Sequence, residues 1–180
     1  MSLRYPRSLM WLHWSTLLAV LAAVVLVLAR DWVDDRALRG QLLDVHRQIG
    51  LLVFLGTATR LAARHLFQPP PAPLARGIHR WAVHASHATL YLLLIALPVL
   101  GVLATQAGGR PVTLLGLPLG TLIGRDRDLA EQIAEAHETG AWLLLALAGL
   151  HALAAIWHHA VLRDDTLRRM LPLRWLKNTT

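Results

Sequence analysis

Two histidines in the last apolar segment have the spacing of a pair of metal-binding positions. His137 and His151 lie fourteen residues apart, and no charged residue occurs from Thr139 to Leu162. In an α-helix this spacing is a rise of about 21 Å and comes within about 40° of four full turns, so both imidazoles point the same way at different depths. Neutral imidazole is a good axial ligand for haem iron. The pattern therefore indicates two ligand positions on one helix.

Two further histidines supply a partner at each depth. His13 lies just inside the first apolar segment, at the depth of His151, and His46 begins the second, at the depth of His137. A single such histidine is more often hydrogen-bonded to a carbonyl or placed at an interface. Four at two matched depths favour two b haems stacked across a bilayer, an inner one held by His13 and His151 and an outer one held by His46 and His137. That is the arrangement of a transmembrane electron carrier.

Long apolar runs must position these side chains. Leu9–Leu28, Trp81–Gly109 and Thr139–Leu162 contain no charged residue, and each can cross a hydrocarbon core about 30 Å thick. The stretch Gln41–Arg64 has charges at both ends of an uncharged middle, and we interpret it as a fourth span whose polar ends face the bundle or the headgroups. We predict an all-α membrane protein, a single domain over residues 1–180, with transmembrane helices at about 8–29, 41–64, 80–105 and 137–162.

The connecting segments differ in character. The long outer loop runs from Gly108 to about Ala136, and its end, Asp126–Glu138, has helical character suited to a position on the membrane surface. Pro98 falls inside the third helix and should kink it. An extended connector between the second and third helices is predicted from four prolines that cannot continue a helix: Pro69, Pro70, Pro71 and Pro73.

The charge distribution predicts the orientation. The net charge is +7, and eleven of the 18 Lys and Arg residues, against two of the 11 Asp and Glu residues, lie on the side that both termini would share. The positive-inside rule places that side in the cytoplasm. The basic residues flank apolar spans instead of forming a soluble basic face, so we expect no nucleic-acid partner. The first run is longer than a signal-peptide core and lacks a cleavage site, so we expect it to be retained.

The chain contains no cysteine, which narrows the possible redox chemistry. It excludes thiolate-ligated iron–sulfur clusters, cysteine-ligated haem and covalent haem attachment. A closed zinc site needs four ligands converging on one point, whereas the four histidines lie at two depths. A transporter with a histidine proton relay is a further alternative, and it would bind no chromophore.

Other histidines lie near the cytoplasmic ends of the third and fourth helices. His84 and His87 are three residues apart, and His158 follows His151 by seven residues on nearly the same face. His87 and His158 are possible quinone or proton-transfer residues, because a quinone carbonyl needs a proton donor as it is reduced. His87 is alternatively an axial ligand in place of His151.

The whole pattern resembles the bacterial cytochrome b561 family, within the wider group of di-haem cytochrome b subunits of hydrogenases and formate dehydrogenases. The resemblance covers nearly the whole chain and depends on several short motifs taken together. They are Leu12-His13-Trp14, His46, His84-Ala85-Ser86-His87, the segment 91–101, His137-Glu138-Thr139, Gly149-Leu150-His151-Ala152, Trp157-His158-His159 and the tail segments 165–167 and 169–172.

The resemblance implies two haem b groups with axial histidines at His13, His46, His137 and His151. It implies a multi-pass protein of the bacterial inner membrane that oxidises superoxide to dioxygen at the periplasmic side and reduces ubiquinone. The protein would then be an enzyme, a superoxide:quinone oxidoreductase. The alternative is a cytochrome b subunit that links a partner dehydrogenase or other protein donor to the quinone pool.

The expected substrate is an anion, whereas the summed charge of the outer segments is negative. Any attraction of superoxide must then come from a local group of arginines. Solvation, or contact with haem propionates, is the other interpretation of these residues. The candidates are Arg39, Arg47, Arg110, Arg125 and Arg127.

Overall fold

The computed structural model describes residues 5–67 and 78–171, without the side chains of residues 78 and 79. Within these residues the chain forms four long helices, which confirms the all-α prediction. They are α1 (Arg7–Arg30), α2 (Arg36–Phe67), α3 (Ile78–Ala107) and α4 (Arg127–Ala160), followed by a short 3₁₀ turn at Arg168–Met170. The four prolines of the predicted connector lie outside the described residues, as do Arg4, Arg76, Arg174 and Lys177.

The helices follow one another in alternating directions. α2 packs against α1 and α3, and α3 packs against α4. The start of α1 meets the chain that follows α4, because the Trp14 indole N–H donates to the Met170 carbonyl at 2.9 Å. We call this the terminal end of the bundle. At the opposite end, which we call the hairpin end, the Asp126 N–H donates to the Ala107 carbonyl at 2.9 Å and joins the start of α4 to the end of α3.

α4 begins about ten residues before the predicted boundary. The Asp126 side chain caps it by accepting a hydrogen bond from the Leu129 N–H at 3.0 Å. No proline interrupts the following residues, so Asp126–Glu138 continues into the predicted span instead of forming a separate helix that could lie flat on a membrane. α4 has 34 residues, a rise of about 51 Å, which is longer than a hydrocarbon core of about 30 Å. If α4 crosses the bilayer without a large tilt, part of it therefore extends beyond the hydrocarbon core.

The outer loop contains a small hairpin that the sequence did not indicate. Strand β1 (Thr113–Leu114) pairs antiparallel with β2 (Leu117–Pro118). The turn residues Leu115 and Gly116 have φ of 50° and 85°, as a two-residue hairpin turn requires. Glutamine amides of the helices hold the loop: Gln48 bonds the Thr113 carbonyl and the Leu115 N–H, and Gln106 bonds the Gly120 carbonyl and the Leu122 N–H.

The bundle presents a largely apolar exterior. Large hydrophobic side chains on α1, α3 and α4 are exposed, including Leu18, Leu92 and Leu153. Among the described residues, three helices are long and apolar enough to cross a membrane: α1, α3 from Arg80 onward, and α4. α2 carries too many charged and polar residues to qualify by composition, so its crossing stays a prediction.

Candidate functional site

The terminal end of the bundle brings His13 of α1 next to His151 of α4. Their ring centres lie 6.4 Å apart and the ring planes are inclined by 70°. At the hairpin end, His46 of α2 lies next to His137 of α4, with ring centres 6.2 Å apart and planes inclined by 77°. Each α4 histidine therefore lies beside the imidazole that its depth predicted, and His151 has a second neighbour, His87 of α3.

Both separations suit two imidazoles on opposite sides of one metal ion. A metal-bound imidazole nitrogen lies about 2.0 Å from the metal, and the ring centre lies about 1.1 Å further away, so two axial rings have centres about 6.2 Å apart. The described residues hold no cluster of three or more His, Cys, Asp or Glu side chains that could enclose a metal. Two imidazoles at this separation fit ligation of one macrocyclic metal from its two sides.

The hairpin-end pair has defined tautomers. The Nδ1 atom of His46 is 2.8 Å from the Ala23 carbonyl oxygen, and that of His137 is 2.9 Å from the Leu97 carbonyl oxygen. A carbonyl oxygen only accepts hydrogen bonds, so Nδ1 carries the proton in both rings and Nε2 keeps its lone pair. This is the outer hydrogen bond that orients metal-binding histidines. Leu97 directly precedes Pro98, whose missing N–H interrupts the α3 hydrogen-bond ladder.

His87 lies beside the terminal pair. Its ring centre is 5.2 Å from that of His151, closer than two rings that share one metal from opposite sides. Its Nδ1 donates to the Val83 carbonyl on its own helix at 2.7 Å. His87 thus lies against a candidate ligand. Its role in quinone reduction and its alternative role as a ligand in place of His151 both remain predictions.

A cavity of about 690 Å³ opens at the hairpin end between α1, α2, α3 and α4. His46 and His137 both line it, and its volume is within the range of about 300–1,000 Å³ typical of ligand sites. Small side chains account for much of its wall, which leaves space for a flat ligand beside the two imidazoles. They are Gly50, Gly101, Ala104, Gly108, Ala130, Ala134 and Ala141.

Three glycines near the pair have different roles. A side chain built on Gly101 would place its Cβ 3.4 Å from His137 Cε1, so this glycine lets the imidazole lie against α3. A Cβ at Gly140 would come within 2.8 Å of Leu97 Cδ2, which makes Gly140 a close helix-packing position. A Cβ at Gly50 would have no neighbour within 4 Å. Gly50 thus borders open space on the His46 side.

Charged residues of both signs line this cavity, including the carboxylates of Asp31, Glu131 and Glu138. Arg47, Arg110 and Arg127 of the sequence candidates line it, whereas Arg39 and Arg125 do not. Arg30 also lines the cavity. The sequence alone did not select it, since it is the last residue of α1 and comes near the site only through the packing of α2 and α4. Arg30 pairs with Asp31 at 3.3 Å, and Arg47 pairs with Asp44. Within the described residues neither Arg110 nor Arg127 forms an ion pair.

At the terminal end His158 belongs to a separate polar contact. Its Nδ1 lies 2.6 Å from Asp164 Oδ2, and the Thr166 N–H donates to Asp164 Oδ1 at 2.9 Å. Burial acts to raise the pKa of Asp164, but the hydrogen bonds from His158 and Thr166 prevail and lower this pKa to about 2. An ionised carboxylate therefore orients the His158 ring and leaves its Nε2 available for proton exchange.

Comparisons with known proteins point to one family. Residues 4–173 match the family model for prokaryotic cytochrome b561. The chain is 30% identical to cytochrome b561 homolog 1 of Escherichia coli, over 95% of this chain and 98% of that protein. It is 36% identical to cytochrome b561 homolog 2 of E. coli, over 71% and 69% of the two chains. It is 31% identical to the probable superoxide oxidase CybB of Yersinia pestis, over 89% and 92%.

Proposed function

Because this chain belongs to the prokaryotic cytochrome b561 family of haem-binding membrane electron carriers, we propose that it is a di-haem superoxide:ubiquinone oxidoreductase of the bacterial inner membrane. His13 and His151 hold the inner haem b, and His46 and His137 hold the outer one. The observation that carries this proposal is the separation of both ring pairs, 6.4 Å and 6.2 Å, which is that of two axial ligands.

The proposed donor is superoxide at the hairpin end, which we place in the periplasm. The relative from Y. pestis is named a probable superoxide oxidase. Arg110 and Arg127 line the cavity without a carboxylate partner among the described residues. The wall also includes Asp31, Glu131 and Glu138, so we assign the attraction of a small anion to these two guanidinium groups and not to the charge of the whole cavity. Two superoxide ions would each lose one electron and leave as dioxygen.

The proposed acceptor is ubiquinone at the terminal end. When bound, the haems supply the one-electron steps that connect the two ends of the bundle. Ubiquinone takes up two electrons and two protons to form ubiquinol. We propose that His158 delivers a proton through Nε2, and the hydrogen bond between its Nδ1 and Asp164 supports this role because it leaves Nε2 unbonded to that carboxylate. His87 is the second candidate donor, because it lies beside His151 at the same end.

A spectroscopic measurement tests the proposal directly. Protein purified in detergent should contain two haem b per chain, with reduced-minus-oxidised spectra of bis-histidine haem. Superoxide supplied without another reductant should reduce the haem, and added ubiquinone should reoxidise it. If superoxide does not reduce the haem but a protein donor does, the superoxide assignment is contradicted and the role of an electron-transfer subunit is favoured. A colourless preparation would contradict the electron-carrier assignment for this chain.

One observation favours that alternative, an electron-transfer subunit for a partner dehydrogenase. The hairpin end exposes apolar side chains, with Trp32 90% and Leu115 75% accessible, and such surfaces often mark contacts with another protein. Chemical crosslinking in membranes from the source organism, followed by purification of this chain, should recover a dehydrogenase if the alternative is right. Recovery of the chain alone would favour the oxidoreductase.

A further inference from the structure

An arginine inside the bundle lacks a counter-charge. Arg60 of α2 is half-buried, and its guanidinium carbon lies 5.5 Å from the centre of the Tyr91 ring on α3. In residues 5–67 and 78–171 no carboxylate pairs with it. A charge inside an apolar bundle is costly unless an opposite charge accompanies it. The contact with Tyr91 offsets part of that cost through one face of the guanidinium.

The position of Arg60 identifies which site it serves. Arg60 stacks on Tyr91, which lies one helical turn after His87 on α3, and the His87 ring is 5.2 Å from that of His151, so Arg60 lies near the terminal pair. By contrast, Arg30 and Arg47 near the other pair have their own carboxylate partners, Asp31 and Asp44. The terminal pair is therefore accompanied by an uncompensated positive charge.

The geometry of the guanidinium indicates the chemistry of the missing anion. Its five N–H donors form a rigid planar fork that matches the two oxygens of a carboxylate. A ring stacked on one face leaves the N–H edge free for such a bond. Haem b carries two propionate carboxylates on its periphery. We propose that Arg60 binds a propionate of the haem held by His13 and His151, an inference that rests on the proposed function.

The test compares three variants of the purified holoprotein: Arg60→Gln, Arg60→Lys, and Arg64→Gln as the matched control. Arg64 lies one turn further along α2 and is exposed. Five quantities are measured: haem per chain, the midpoint potential of each haem, the infrared carboxylate bands of haem labelled with ¹³C at the propionates, the amount of retained phospholipid, and the affinity for added quinone. The infrared band reports the propionate itself, so a merely structural effect of the substitution would leave it in place.

We expect Arg60→Gln to shift the labelled carboxylate band, because one propionate loses its partner. We also expect it to disfavour reduction of one haem about tenfold, which is about 59 mV for one electron, since a lost positive charge makes an added electron less stable. The other haem should keep its potential. Arg60→Lys should give intermediate shifts, and Arg64→Gln should match the wild type in the band.

Several results would overturn the inference. An unshifted band in both Arg60 variants would show that Arg60 acts through charge alone. A change confined to the amount of retained phospholipid would assign Arg60 to a lipid headgroup, and a change confined to quinone affinity would assign it to the quinone. If Arg60→Gln retains no haem, the labelled carboxylate band of Arg60→Lys is the test: a shifted band supports the contact with the propionate, and an unshifted band contradicts it. Absence of haem from the wild type would overturn the proposed function itself, and this result is seen before any variant is made.

Discussion

At the scale of single residues, four imidazoles are the proposed haem ligands, and neighbouring groups determine their orientation. The His46 and His137 rings are oriented by backbone carbonyls of two other helices, so their Nε2 atoms keep the lone pairs that a metal requires. His13 and His151 face one another at a similar separation, with His87 and Arg60 nearby. The hairpin-end site is thus organised by hydrogen bonds, and the terminal site by neighbouring charged and aromatic side chains.

Replacement of His151 by alanine tests the ligand assignment. We expect the haem content to fall from two to one per chain, because the remaining imidazole of His13 cannot hold the haem alone, while the other haem keeps its spectrum. Haem extraction with pyridine counts the groups. His65→Ala, at an exposed position near the end of α2, is the control and should retain both. Loss of a haem from His87→Ala but not from His151→Ala would instead make His87 the ligand.

Asp164 gives a pH-dependent contribution to stability. Its pKa is lowered from 3.8 to about 2 in the folded protein, so folding favours the ionised carboxylate. This contribution is complete above the unfolded pKa of 3.8 and is lost as the pH falls through about 2. Asp164→Asn should therefore destabilise the protein at neutral pH by about 1 kcal/mol, a value reduced by partial exposure.

The measurement is the thermal midpoint of the variant and of the wild type across a pH series. The difference between them should narrow as the pH drops below 3.8. Asp165→Asn is the matched control, because Asp165 is exposed and its ion pair with Arg168 is long, at 3.9 Å. A difference that stays constant down to the acid limit would contradict the role of the Asp164 charge.

At the scale of elements, close approach between α3 and α4 shapes the hairpin-end site. Gly101 of α3 admits the His137 ring, and Gly140 of α4 admits Leu97. The kink expected at Pro98 and the hydrogen bond from His137 to the Leu97 carbonyl fall in the same turn of α3. This segment therefore fixes both the orientation of one candidate ligand and the width of the cavity.

A larger side chain at Gly101 tests that relation. Gly101→Leu should displace the His137 imidazole and cause loss of the hairpin-end haem. A Cβ at this position would already be in van der Waals contact with His137 Cε1, at 3.4 Å, so the remaining atoms of leucine would have little space. Gly149→Leu on the same bundle is the control, since a Cβ there meets nothing within 4 Å. Haem counting and the visible spectrum follow both variants. Full haem content in Gly101→Leu would show that the cavity adapts without the proposed contact.

At the scale of the whole molecule, the alternating helices place the two histidine pairs at opposite ends of one bundle. Along α4 the two ligand positions are about 21 Å apart in rise. A carrier of this form connects reactions on the two sides of a membrane only if the hairpin end and the terminal end face different compartments. The proposed chemistry therefore depends on all four helices crossing the bilayer, including α2, whose composition alone does not establish it.

The orientation can be tested because the chain contains no cysteine. Single cysteines at Leu122, which is exposed at the hairpin end, and at Asp165, which is exposed at the terminal end, supply matched reporters. In intact cells a membrane-impermeant maleimide should label Leu122→Cys and leave Asp165→Cys unlabelled until the cells are lysed. The reverse pattern would contradict the positive-inside assignment, and labelling of both residues from one side would contradict a membrane crossing by α4, which alone separates them.

Local pattern was enough to predict the apolar helices and the depths of His13, His46, His137 and His151, because helical periodicity and hydropathy depend on neighbours along the chain. The full length of α4 was missed because its polar first turns resemble a surface segment. The facing of the imidazole pairs, the carbonyls that orient two of them, and the stacking of Arg60 on Tyr91 depend on which helices pack together. Those contacts join residues far apart in the chain, so only the tertiary structure could decide them.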